Sequence, residues 1–108
     1  MRRPLGEQLL DEALETLRGW GGPEGLRRVG FSTAWLQDPY LVWAYPQARR
    51  TILGALEEAA RERSLSDDAA RRFVQLYHAA IDAGLPIPQR ASARYRQVRE
   101  LPRKPPAM

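Results

Sequence analysis

The apolar residues of this 108-residue chain recur at helical spacing wherever they cluster, and no segment alternates apolar and polar residues as a half-buried strand does. A chain of this length forms one core. The pattern predicts an all-α domain over residues 1–89, a compact bundle of four to five short helices. A basic, Pro-containing C-terminal arm, residues 90–108, is expected to follow, with a short helix over about 92–101 that Ser92 caps.

The first helix is expected over about 5–18. Leu10, Leu14 and Leu17 form its inner stripe, while Glu7 falls on the polar face. Carboxylates also occur four residues apart on polar faces. Without a Glu-x-x-His partner helix these pairs are interpreted as solvated surface and not as metal ligands: Asp11–Glu15 and Glu58–Glu62.

Start signals divide the middle of the chain. Ser32 is expected to cap a turn that reaches Trp35, and Asp38 followed by Pro39 marks a further helix start, because Asp can accept the free amide hydrogens. Pro46 interrupts the helical pattern that follows, and this predicts a kink or break near Tyr45.

The segment from Ser64 to Gly84 has the clearest boundaries. Ser66 is the expected N-cap, and Gly84 followed by an apolar residue and Pro matches a left-handed C-cap. The buried stripe of this helix is expected to contain Ala70, Phe73, Tyr77, Ala80 and Ile81.

Charge separates the arm from the rest of the chain. Residues 1–89 contain eleven Arg and twelve acidic residues, whereas residues 90–108 contain five Arg and one Lys but one acidic residue, Glu100. Such asymmetry indicates a negatively charged partner or a solubilising tail. The leading functional hypothesis is a small non-enzymatic accessory protein whose arm binds nucleic-acid phosphate, with Tyr95 available to stack on a base. Its predicted contacts are Arg90, Arg94, Tyr95, Arg96, Arg99, Arg103 and Lys104.

The alternative hypothesis is a protein–protein assembly or adaptor subunit. Five of the nine aromatic residues lie within fifteen positions: Phe31, Trp35, Tyr40, Trp43 and Tyr45. Such residues either fill a small core or dominate the binding energy of an interface. The apolar side of the C-terminal helix, with Tyr95, Val98 and Leu101, is a second candidate contact. Self-association into a homo-oligomer is compatible with this hypothesis.

Other function classes have little support. The chain has no Cys, which excludes disulfides and thiol chemistry. His78 and Asp82 are one turn apart, but no catalytic constellation, cofactor motif or metal site is recognisable, so the prediction is a protein that is not an enzyme. No apolar run approaches the length of a membrane span, and the default expectation is a cytoplasmic protein.

Overall fold

The computed structural model describes residues 4–100, and within that range every regular element is helical. This confirms the all-α prediction. In chain order the elements are α1 (Leu5–Gly19), α2 (Gly22–Phe31), a 3₁₀ turn (Thr33–Gln37), α3 (Pro39–Arg61), α4 (Asp67–Asp82) and α5 (Gln89–Glu100). None of these helices, over the described range, is long and apolar enough to cross a membrane.

Helix α3 is the centre of the bundle, and α1 packs closely along it. The approach is close because Gly6 has no side chain: a Cβ there would lie 2.9 Å from both the Ala59 Cα and the Glu58 carbonyl oxygen. The Glu62 side chain accepts a hydrogen bond of 3.0 Å from the Gly6 amide. The largest fully buried side chains are Phe73, Leu10, Leu26, Ile52, Leu56 and Leu76.

Helix α4 begins and ends where its capping signals predict. Ser66 Oγ accepts a hydrogen bond from the Ala69 amide at 3.1 Å. Gly84 has a φ of +77°, and the amide of Leu85 donates to the Ala80 carbonyl in a Schellman arrangement. One prediction for this helix is wrong, because Ile81 is 49% exposed and lies at the edge of the buried stripe.

The start signals in the middle of the chain are confirmed. Ser32 accepts a hydrogen bond from the Ala34 amide, and Asp38 accepts hydrogen bonds from the amides of Tyr40 and Leu41. A break near Tyr45 is not observed, because α3 continues through Pro46 to Arg61. Proline removes one backbone hydrogen bond, whereas burial of the side chains on either side of it, Tyr45 and Ala48, holds the helix together.

Contacts between distant segments correct the predictions for three acidic residues. Glu62, interpreted as solvated surface, is half-buried and accepts the hydrogen bond from the Gly6 amide described above. Glu7 is buried, not outward-facing, and accepts a hydrogen bond from the Ser66 hydroxyl at 3.4 Å. Asp11 is half-buried and pairs with Arg72, so it is not simply solvated. The hydrogen bond between Asp11 and Arg72 raises the pKa of the Arg72 guanidinium above its usual value, and the negative charge of Asp68 adds to the effect. Together the contacts of Glu7 and Asp11 join α1 to α4.

Helix α5 starts earlier than predicted, at Gln89 and not after Ser92. The Pro88 carbonyl accepts hydrogen bonds from the amides of Ala91 and Ser92, so Pro88, and not Ser92, occupies the N-cap position. Ser92 therefore lies inside the helix, where its hydroxyl accepts a hydrogen bond from the Tyr77 hydroxyl at 3.2 Å.

Candidate interaction surface

The first half of α3 presents aromatic side chains on the side of the helix opposite the core. Tyr40 is 67% exposed and Trp43 is 63% exposed. Gln47, Arg50 and Gly54 continue the same stripe at helical spacing, and all three are exposed. We call these five residues the outer face of α3.

Exposure of this kind is unusual for such side chains. Large aromatic residues are usually well buried in small domains, and contiguous exposed apolar surface marks an interaction site. Seven large hydrophobic residues are exposed in the described part of the chain, and five of these lie between positions 31 and 43: Phe31, Leu36, Tyr40, Val42 and Trp43. The segment that the sequence singled out is therefore largely a surface.

The remaining aromatic residues of the segment belong to the core. Tyr45 is buried, with its ring centroid 5.0 Å from that of the half-buried Trp35 and 6.1 Å from that of Trp20. The guanidinium of Arg49 lies 5.9 Å from the same Tyr45 ring. Core filling thus accounts for Tyr45 and Trp35, while Tyr40 and Trp43 are left outside the core.

Phe31 is exposed at a different place in the fold. It ends α2, and its ring lies against Gly84, where an added Cβ would approach the Phe31 Cζ to 2.9 Å. The Arg27 guanidinium lies 5.3 Å from the centroid of the same ring. Phe31 therefore covers the α4 C-cap.

Gly54 was not identified as a candidate from the sequence. It lies in the middle of α3, and among the described residues a Cβ built there would have no neighbour within 4 Å beyond the local helix backbone. Glycine in a helix interior is destabilising by about 1 kcal/mol relative to Ala, and here no neighbour and no positive φ requires it. An isolated glycine inside a helical pattern is tolerated at a cost in helix stability, and here it leaves part of the outer face of α3 without a side chain.

The C-terminal helix is docked on the bundle. The Tyr95 ring stacks on Tyr77, with centroids 4.1 Å apart and planes inclined by 4°. The Tyr95 hydroxyl forms a hydrogen bond of 3.0 Å with His78 Nε2. Tyr95, on the apolar side of α5 that was a second candidate contact, therefore packs against α4, and one face of its ring is already occupied. Leu101, on the same predicted side, lies outside the described residues.

The predicted phosphate contacts are distributed unevenly. Arg94 donates hydrogen bonds to the carbonyls of Ala60 and Glu62, at the C-terminal end of α3. Arg90 Nε lies 3.8 Å from a carboxylate oxygen of Glu57, and Arg96 is exposed. Arg99 lies in the last turn of α5, while Arg103 and Lys104 lie outside the described residues. Nucleic-acid binding by the arm stays a prediction.

His78 lies at the contact between α4 and α5. It is exposed, its Nε2 bonds to Tyr95, and the open hollow that contains Asp82 is lined by residues of α2, among them Glu24 and Arg27. Among residues 4–98, no three His, Asp or Glu side chains are grouped closely enough to hold a metal ion.

Packing within the described residues thus does not account for the two aromatic side chains on the outer face of α3, Tyr40 and Trp43. No family model matches this chain, and no curated protein or solved structure is detectably similar to it.

Proposed function

We propose that this protein is a small helical adaptor or assembly subunit that binds a protein partner through the outer face of α3. The observation that carries the proposal is the exposure of Tyr40 and Trp43 on the side of α3 opposite the core. Tyr and Trp are enriched among residues that dominate binding energy at protein interfaces, because they combine a large apolar area with a polar group.

The chemistry of the surrounding residues supports a protein partner. Gln47 and Arg50 continue the stripe with side chains that form directional hydrogen bonds, and protein interfaces combine such bonds with buried aromatic side chains. The α5 arginines support phosphate binding less well, because Arg94 caps α3 and Arg90 lies near Glu57. Arg96 is a further exposed arginine of α5.

Site-specific photo-crosslinking in the host cell tests the proposal. A photoreactive amino acid replaces one of three exposed helical glutamines: Gln47 on the outer face of α3, Gln75 on α4, or Gln97 on α5. We expect a light-dependent protein adduct from position 47 but not from position 75. The double substitution Tyr40→Ser and Trp43→Ser should abolish that adduct and leave the fold intact, because both side chains are exposed.

The three positions also separate the alternatives. A nuclease-sensitive adduct from position 97 that survives the double substitution would move the assignment to phosphate binding by α5. Equal adducts from positions 47 and 75, or none from position 47, would contradict the proposal.

A further inference from the structure

The outer face of α3 has a pattern that is complementary to itself. Trp43, Gln47, Arg50 and Gly54 follow one another at spacings of four, three and four residues, which is the spacing of a seam between two paired helices. The largest side chain of the seam stands at one end and the residue without a side chain stands at the other.

An antiparallel pair of α3 helices would bring these two ends together. When Trp43 of one copy faces Gly54 of the other, two-fold symmetry brings Gln47 of each copy opposite Arg50 of its neighbour. The indole then enters the notch left by the missing Cβ, where no atom of the described residues, apart from the adjoining backbone of α3, lies within 4 Å of the Cβ position. The Gln47 side-chain oxygen can accept a hydrogen bond from the Arg50 guanidinium.

The same alignment continues one turn further. Tyr40 then stands opposite Glu57, whose carboxylate can accept a hydrogen bond from the phenol while it remains near Arg61 and Arg90. A parallel pair would instead place Arg50 against Arg50 and Glu57 against Glu57. Like charges placed directly opposite each other are destabilising, so charge disfavours the parallel register, whereas in the antiparallel pair Arg50 faces Gln47 and Glu57 faces Tyr40.

The available area is consistent with a dimer of modest affinity. An aromatic side chain buries about 150–250 Å² when fully covered, and Tyr40 and Trp43 have about two-thirds of their surface free. The two rings then supply about a third of the ~800 Å² per partner in a stable interface. The rest must come from Gln47, Arg50 and the turns on either side.

We infer that the partner of the outer face is a second copy of this chain, with the two α3 helices antiparallel and each Trp43 seated over Gly54 of the other copy. This inference rests on the proposed function and names the partner at the same surface. It also gives a reason for a glycine that the monomer does not need.

Sedimentation of the purified full chain tests the pairing with two variants that are complementary only to each other. Trp43→Ala removes the large side chain, and Gly54→Trp fills the notch. In a mixture, the small side chain of the first variant would face the new indole of the second, and the unchanged Gly54 would face the unchanged Trp43. We expect the dissociation constant of each variant alone to be at least about tenfold higher than that of the original chain, and the mixture to recover association.

Each outcome of this experiment is informative. Gly54→Leu is a second variant that fills the notch with a smaller side chain than Trp. Circular dichroism verifies that all variants are folded. Unchanged self-association of Gly54→Trp, or a mixture no tighter than Trp43→Ala alone, would overturn the pairing. A chain that stays monomeric up to about 1 mM would overturn the inference. In that case an adduct from position 47 to a different protein would preserve the proposed function, and absence of any adduct would remove both.

Discussion

Alanine at Gly54 and alanine at Gly6 should change the stability of this protein in opposite directions, although both substitutions add one methyl group to a helix. At Gly54 the new Cβ would have no neighbouring atom within 4 Å among the described residues, apart from the local helix backbone. At Gly6 it would lie 2.8 Å from the Glu62 Cγ and 2.9 Å from the Ala59 Cα. The pair therefore separates helix propensity from packing.

The expected magnitudes follow from these surroundings. Gly54→Ala should raise the free energy of unfolding of the monomer by about 1 kcal/mol, since it relieves the entropic penalty of an interior glycine. Gly6→Ala should lower it by about 1–3 kcal/mol, because α1 must move away from α3 and the hydrogen bond from the Gly6 amide to Glu62 is strained.

Urea unfolding monitored by circular dichroism measures both effects. The experiment is carried out in a Trp43→Ala background and at low protein concentration, so that association does not contribute to stability. One kcal/mol corresponds to a change in melting temperature of about 4–8 °C for a domain of this size. Destabilisation by Gly54→Ala would refute the reasoning, since it would mean that the described fold requires this glycine. In the original background the same substitution should weaken self-association while it stabilises the monomer.

Two further substitutions test how the bundle positions its surfaces. Ser66→Ala should lower the free energy of unfolding by about 1 kcal/mol in urea titrations, because the N-cap of α4 and the hydrogen bond to Glu7 are both lost; an effect below the error of the titration would contradict the assigned cap. Arg94→Gln should increase amide hydrogen exchange in α5 before global unfolding, since its hydrogen bonds to the end of α3 are removed, whereas Arg96→Gln, the exposed control, should leave that exchange unchanged.

Local signals explain which elements could be predicted from the sequence. The ends of α4 depend on Ser66 and Gly84, whose capping interactions involve residues within five positions. The local sequence is therefore sufficient to predict where the helix begins and ends. The start of α3 at Pro39 is predictable for the same reason, through Asp38.

Contacts between distant segments explain what could not be predicted. Glu7 looks like a polar-face residue until α4 brings Ser66 beside it, 59 positions along the chain. The start of α5 at Gln89, by contrast, depends on local hydrogen bonds to the Pro88 carbonyl, and only the hydrogen bond from Tyr77 to Ser92 is a contact with another helix.

The candidate site was predictable only in part. Clustering of aromatic residues identified the segment from Phe31 to Tyr45, but the face that stays exposed depends on how Trp20 and Trp35 pack on Tyr45. Gly54 carried a signal of its own, as an isolated glycine in a helical pattern, and its meaning depends on the empty space around it.

Fluorine NMR of the chain labelled with fluorotryptophan tests the central claim most directly. The chain has three tryptophans, and the signal of Trp43 is assigned by its loss in Trp43→Phe. As the concentration rises, the account predicts that Trp43 alone loses its sensitivity to exchange of H₂O for D₂O, while the half-buried Trp20 and Trp35 stay as they are. A Trp43 signal that remains solvent-exposed at every concentration up to about 1 mM would contradict association through the outer face of α3.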